Sequence, residues 1–241
     1  MAMNNKTLRP RVSGFNPKSI SGLYAWYDAA DATTITQATG VSSWADKSGN
    51  GRTCSQATGA NQPAYVLAGQ NGKNVIDFAS HTKNMITNGT AWALTSTNTM
   101  FWSFQFPNTA ASVAAFVLFD FSVTRQMVYG NSPSEIRIAN ATTGITPVSR
   151  RWYILSIQWN GAATAYRLNQ SASTTINPAG FASGASTQMF MGFNGGIASI
   201  RGYIGECITY DSTLTNAKTT TVNNYLAKKW GPPSYEARDI P

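Results

Sequence analysis

The stretch Ile200 to Gly231 constrains this chain more than any other. Its first half carries Ile200, Tyr203, Ile204, Ile208 and Tyr210, with Glu206 the one charge after Arg201. A β-branched and aromatic run of this kind fits a strand buried on both faces. Asp211-Ser-Thr213 breaks it. Thr215 then supplies an N-cap, and Val222, Tyr225 and Leu226 recur at helical spacing. Lys228 and Lys229 fall in the last turn, where cations complement the helix dipole, and Gly231-Pro-Pro233 ends the helix. A central strand crossed by one amphipathic helix requires neighbouring strands, and the preceding sequence supplies them.

Asn-Gly dipeptides occur five times, at Asn50, Asn71, Asn88, Asn160 and Asn194, against about two expected by chance from 20 Asn and 20 Gly. They separate strand-like runs: Leu23 to Asp28, Val41 to Trp44 as the second strand, Asn74 to Phe78, Thr99 to Phe106, Ala114 to Phe119, Arg125 to Tyr129 and Glu135 to Ile138. The clearest hairpin joins Trp152–Trp159 to Thr164–Asn169 through Asn160-Gly161, with Tyr153, Leu155, Ile157 and Trp159 on one face. Gln188 to Phe193 comes next. About a dozen short strands and one terminal helix predict an all-β fold, an antiparallel β-sandwich in one domain over residues 21–231.

Charged residues are 12% of the chain, and Ser, Thr, Asn and Gly take their place at the surface, a pattern common in extracellular and viral structural β proteins. The longest apolar run, Val113 to Phe119, is too short to span a bilayer. The opening residues lack the apolar core of a signal peptide. The net charge of +8 comes without any Lys/Arg run longer than two, so no specific nucleic acid is expected as a partner. Residues 1–20 carry Lys6, Arg9, Arg11 and Lys18 and no acid. They read either as a disordered leader or as an extended arm that binds other protein chains through those four cations, with Pro10 and Pro17 keeping it extended. Residues 232–241 read as a second tail.

Gly22-Leu-Tyr-Ala-Trp-Tyr-Asp-Ala29, followed by Val41-Ser-Ser-Trp-Ala-Asp-Lys-Ser-Gly-Asn-Gly51, resembles the opening of concanavalin A-like, laminin-G-like jelly-roll domains of phage virion proteins. Tyr166 and Asn169 resemble the end of that fold's long central hairpin, with Gln170 in place of the usual Gly. Gly205 to Asp211, Leu214 and Tyr225-Leu-Ala-Lys-Lys-Trp-Gly231 resemble its final strand and helix. The resemblance implies a non-enzymatic virion protein, foremost a capsid decoration protein gripped through its arm by major capsid or other virion proteins. It implies equally a lectin-like module of a tail or fibre that adheres to host polysaccharide. Assembly in the host cytoplasm, location in the virion and homo-oligomerisation belong to the same expectation.

Catalysis has little support in the residues. Glucanases of this fold place acids at alternate positions of one strand, so that two carboxylates face the cleft. Here Glu206 is followed at that spacing by Ile208 and Tyr210, and Glu135 by Arg137 and Ala139. Glu206 is therefore expected to be a structural carboxylate. His81, the sole histidine, reads as a surface loop residue, and one His with two distant Cys makes no zinc site, so no metal and no cofactor are expected. Asp46-Lys-Ser48-Gly-Asn50-Gly51 imitates a calcium loop, but Ala57 stands where the bidentate acid belongs, which favours an Asx-stabilised turn. Gly192 to Gly202 lacks a P-loop lysine. Cys54 and Cys207 read as free buried thiols, with a single bridge as the alternative. Trp92 and Tyr129 are the aromatics least committed to strands and hence candidates for stacking on sugar. Asn5, Asn88, Asn140 and Asn169 match the glycosylation pattern, as expected by chance in an Asn- and Thr-rich chain.

Overall fold

The computed structural model describes residues 14–78, 84–87, 94, 97–105, 116–121, 125–127, 135–139, 141–148, 150–178, 188–192, 198–199 and 202–231. In chain order the strands are β1 (Leu23–Asp28), β2 (Ile35–Gln37), β3 (Val41–Trp44), β4 (Cys54–Ser55), β5 (Ala64–Gln70), β6 (Lys73–Asp77) and β7 (Met85–Thr87). Then come β8 (Thr97–Gln105), β9 (Phe116–Val117), β10 (Phe119–Phe121), β11 (Arg125–Met127), β12 (Arg137–Ile138) and β13 (Ala141–Thr142). The rest are β14 (Trp152–Asn160), β15 (Thr164–Leu168), β16 (Thr174–Ile176), β17 (Met189–Met191), β18 (Ala198–Ser199) and β19 (Tyr203–Tyr210), followed by helix α1 (Asn216–Trp230).

Two sheets form the antiparallel sandwich. One runs β16-β15-β14-β8-β19-β6-β5, with β1 also paired to β19, and the other runs β13-β12-β11-β10-β17-β7-β4-β3-β2. A short parallel pair, β9 and β18, lies outside both. The first sheet carries α1 on its outer face, so its central strands are buried on both sides. β8 shows this directly: Met100, Trp102 and Phe104 enter the core between the sheets, while Phe101 faces the helix. β14 divides in the same way. Tyr153, Leu155, Ile157 and Trp159 join the inter-sheet core, and Trp152 and Ile154 join the helix side. A double-sided strand of this type has no polar face to alternate with, so its sequence is a continuous apolar run. Trp102 stacks on Phe119 of the facing sheet at 4.4 Å between ring centroids, and Trp152 stacks on Trp230 of α1 at 5.8 Å.

Val222 and Leu226 of α1 are fully buried, but against the outer face of the first sheet, so they face a second core rather than the sandwich interior. Asn223 donates to Ser156 Oγ and Gln158 donates to the Leu214 carbonyl, which satisfies the polar groups that β14 turns toward the helix.

β19 pairs with β8 along one edge, and with β1 and β6 along the other. The expected neighbour β1 is thus present, but among the described residues it has no strand on its other side. The segment after β3 covers that edge. Lys47 N–H donates to the Trp26 carbonyl, Asp46 Oδ1 accepts from Trp26 N–H, and the Asn50 amide donates to the Leu23 and Tyr24 carbonyls. One backbone group and several side chains thereby replace a neighbouring strand and block edge-to-edge pairing.

Several local expectations are revised. Ile35–Gln37 precedes Val41–Trp44, which is the third strand; its residues are largely exposed and give no apolar signal. Of the Ala114 to Phe119 run, Ala114 and Ala115 lie outside the described residues, and Phe116–Val117 and Phe119 fall in different sheets on either side of Leu118. Asn71 and Gly72 form the expected tight turn, both at positive φ, whereas the turn after Asn160 encloses Gly161 to Ala163. Gln170 has φ +64°, a conformation that favours the missing Gly, and its side chain donates to Asn224 of α1. Residues 14–20 do not extend away as an arm. Phe15 lies 5.4 Å from Tyr225, Ile20 is buried in the helix-side core, and the Tyr210 hydroxyl donates to the Pro17 carbonyl. The arm boundary at residue 20 therefore falls inside the packed domain, because Phe15 and Ile20 complete an apolar layer that α1 leaves open.

A bulge in β19 between Ile204 and Glu206 sets which way the rest of that strand faces, and Gly205 occupies it. A Cβ on Gly205 would lie 2.8 Å from the Trp230 ring. Gly205→Ala is expected to lower stability by roughly 1–3 kcal/mol through overpacking. Chemical denaturation with an unchanged m-value checks this; a neutral result would mean that α1 does not seat against this strand.

Candidate functional site

The bulge turns Glu206 toward α1, and every group around it serves the same carboxylate. Ile204 and Cys207, three residues apart, both face the inter-sheet core, while Glu206 points out of the opposite face with Ile208 and Tyr210. Glu206 is completely buried. Its Oε1 accepts from the Trp26 indole at 2.7 Å and the Tyr225 hydroxyl at 2.9 Å. Its Oε2 accepts from the Trp230 indole and from Lys229 Nζ, both at 2.7 Å.

Tyr225 and Lys229 stand on one flank of the helix because i and i+4 positions are neighbours there, and the long Trp230 indole reaches the same carboxylate from the last helical position. Trp26 and Asp28 come from β1, where Asp28 pairs directly with Glu206. Lys229 also contacts Asp28 Oδ1 at 2.7 Å. Lys47 contacts Asp28 Oδ2 at 2.9 Å and Asp31 at 2.7 Å. The result is a chain of alternating charge, Glu206, Lys229, Asp28, Lys47 and Asp31, running from the buried interior to the surface. Lys47 also stands 4.4 Å above the Trp26 ring.

Burial pushes the Glu206 carboxyl above the usual range, and the Lys229 ammonium pulls it back. Tyr225 is pushed up by its own burial and by the negative charge of Glu206, so its hydroxyl remains a donor. Asp31 sits below the usual range, chiefly through its bond to Lys47. With all four donors in place, Glu206 has no free lone pair and no path to solvent. It is a structural carboxylate, as its sequence context indicates, and it cannot serve as nucleophile or general acid. Glu135 is also engaged: it accepts from Gly144 N–H at 2.6 Å and lies 3.5 Å from Arg137.

The other sequence candidates separate from one another. Asp46 accepts from Trp26 N–H, Ser48 N–H, Ser48 Oγ and Arg52 N–H at 2.7–3.1 Å, so the calcium-like loop is an Asx-type turn built to cover β1. Among the described residues no group of three or more His, Cys, Asp or Glu could hold a metal ion. Cys54 and Cys207 are buried free thiols, which burial pushes up. Lys18 is exposed in the turn Pro17–Ser19, which Asn16 caps. Lys6, Arg9, Arg11, His81, Trp92 and Tyr129 lie outside the described residues. Among those described, no helix is long and apolar enough to cross a membrane.

The sequence missed that Lys229 enters the core: two adjacent lysines at a helix end read equally as dipole partners. The Tyr225/Lys229 spacing opposite a buried Glu was the available signal.

No protein-family model matches this chain, and no curated protein sequence matches it. Similarity is found among solved structures, at identities that show the fold alone. Trypanosoma rangeli sialidase with the inhibitor DANA has a TM-score of 0.62 at 11% identity over 87% of this chain, which spans 33% of the sialidase chain. Domain 4 of AbnA, a GH43 extracellular arabinanase from Geobacillus stearothermophilus in complex with arabinotriose, has a TM-score of 0.55 at 14% identity, over 83% of this chain and 97% of that one. The binding domain of Paraclostridial Mosquitocidal Protein 1 has a TM-score of 0.60 at 11% identity, covering 90% of this chain and 56% of that one. The class is thus the antiparallel β-sandwich that these proteins share.

Lys229→Met leaves Glu206 and Asp28 buried without their shared counter-ion and is expected to cost about 3–5 kcal/mol. Without that ammonium the folded-state pKa of Glu206 rises further above its unfolded value. The folded state then binds the proton more tightly, so acid favours it. The deficit relative to the native chain should shrink as pH falls from 7 toward the ordinary glutamate value of 4.5. Urea denaturation of both proteins across that range measures it, and a pH-independent deficit would refute the electrostatic account.

Proposed function

We propose that this chain is a non-catalytic, lectin-like β-sandwich that binds carbohydrate. The similarity to the arabinotriose-bound arabinanase domain supports this most, because it spans nearly the whole of that domain. The sialidase similarity spans a third of an enzyme and supports no catalytic role by itself. The internal chemistry agrees with a binding role: the buried carboxylates hold the fold together, and Glu206 and Glu135 are both engaged by protein donors.

Binding to immobilised polysaccharides, with the same mixtures then assayed for released reducing sugar, tests the proposal. Retention on at least one polysaccharide with no sugar released is expected. Release of sugar would overturn the non-catalytic part, and no retention on any polymer would overturn the binding part.

The virion setting is a finer proposal. It rests on the sequence resemblance and on the cations Lys6, Arg9 and Arg11. Residues 14–20 belong to the domain, so the segment proposed to grip the particle is residues 1–13. A chain lacking these residues should stay folded yet fail to occupy particles that lack the protein. Normal occupancy would remove the arm, and with it the decoration role.

A further inference from the structure

The face that carries α1 has an uneven charge balance. Its acids Glu206 and Asp28 lie buried, and they and the part-exposed Asp31 are held by Lys229 and Lys47. Of the remaining cations of this face, Lys18, Lys218 and Lys228 are exposed, and Lys73 and Arg167 are half-exposed. Lys218 and Lys228 are exposed on α1, about 15 Å apart along its axis at 1.5 Å per residue. Arg167 of β15 lies against the same helix, donating to Thr220 Oγ1 at 3.0 Å and Asn216 Oδ1 at 3.1 Å. Lys18 belongs to the segment that packs on Tyr210 and Tyr225. Lys73 comes just after the Asn71-Gly72 turn, whose Asn71 amide donates to the Lys229 and Gly231 carbonyls. None of these five cations has a carboxylate partner among the described residues, and Asp211, at the margin, is the exposed acid nearest in sequence to α1 among those residues.

Between the cations the helix exposes hydroxyls and amides, Thr220, Thr221 and Asn224, and Phe15 and Tyr225 form a half-exposed aromatic pair. A ligand suited to such a surface is rich in hydroxyls and carries spaced negative charges. A nucleic-acid site would instead cluster Lys and Arg more densely.

We propose that the α1 face binds an anionic polysaccharide, a polymer bearing uronate or similar acidic groups. This deepens the proposed carbohydrate function and rests on it. The cations attract the polymer's charges and set a salt-dependent affinity, while the polar side chains meet its hydroxyls.

The test titrates the full chain with alginate as the polyuronate, with neutral arabinan and dextran, and with single-stranded oligothymidine. It is repeated with the double variant Lys218→Glu/Lys228→Glu, whose positions are exposed and whose opposite effects on the helix dipole at the two ends offset, so it should stay folded with a melting temperature close to the native one. Alginate binding should weaken as salt rises, and the double variant should lose affinity on the order of tenfold or more. Binding of arabinan or dextran but not alginate would overturn this inference while leaving the carbohydrate reading intact. Binding of no polysaccharide would overturn both. Oligothymidine binding as tight as alginate would also overturn the inference, by reducing the face to a general polyanion surface. Equal alginate affinity in the native and double-variant proteins would overturn the location.

Discussion

Glu206 is the constraint on which the helix layer depends. A carboxylate at zero exposure is tolerated only when its lone pairs are filled and its charge is balanced, and α1 provides three of the four donors. The helix cannot shift by a turn or rotate without leaving that charge unmatched. The pair with Lys229 therefore fixes register more surely than it adds net stability, since the desolvation of two ions offsets much of their attraction. The apolar contacts of Val222, Leu226 and Trp230 supply the driving force, and the ionic chain chooses among the ways of satisfying it.

The same carboxylate links elements distant in sequence. Trp26 and Asp28 come from the first strand, Glu206 from the last, Lys229 from the helix, and Lys47 from the loop that covers β1. The loop's own turn, organised by Asp46, closes the edge that the first strand leaves open. One network thus joins the two chain ends that resemble a known jelly-roll pattern. It accounts for why Trp26, Asp28, Glu206, Lys229 and Trp230 occur together in one chain.

Functionally, burying the acids changes what the surface offers. Glu206 and Asp28 are engaged inside, and the cations on the helix face are left without carboxylate partners among the described residues. Among the described residues, Glu206 and Asp28 are matched by Lys229 and Lys47, while the solvent side of α1 presents lysines, hydroxyls and amides.

By itself the sequence determined the fold class, the double-sided final strand and the terminal helix. Those depend on local periodicity and apolar content, and Tyr153, Leu155, Ile157 and Trp159 fall on one face because strand geometry has period two. It also placed the turn at Asn71-Gly72, where positive φ at both residues is a local requirement. Tertiary structure alone decided that Lys229 enters the core while Lys228 stays outside, that Phe15 and Ile20 dock instead of extending, and that the Asp46 loop is a strand edge cover. Each of these depends on what lies opposite across a gap of many residues: a buried charge, an open apolar layer, or a row of unpaired backbone groups. Such a partner leaves no trace in the spacing of neighbouring residues, so only the assembled sheets reveal it.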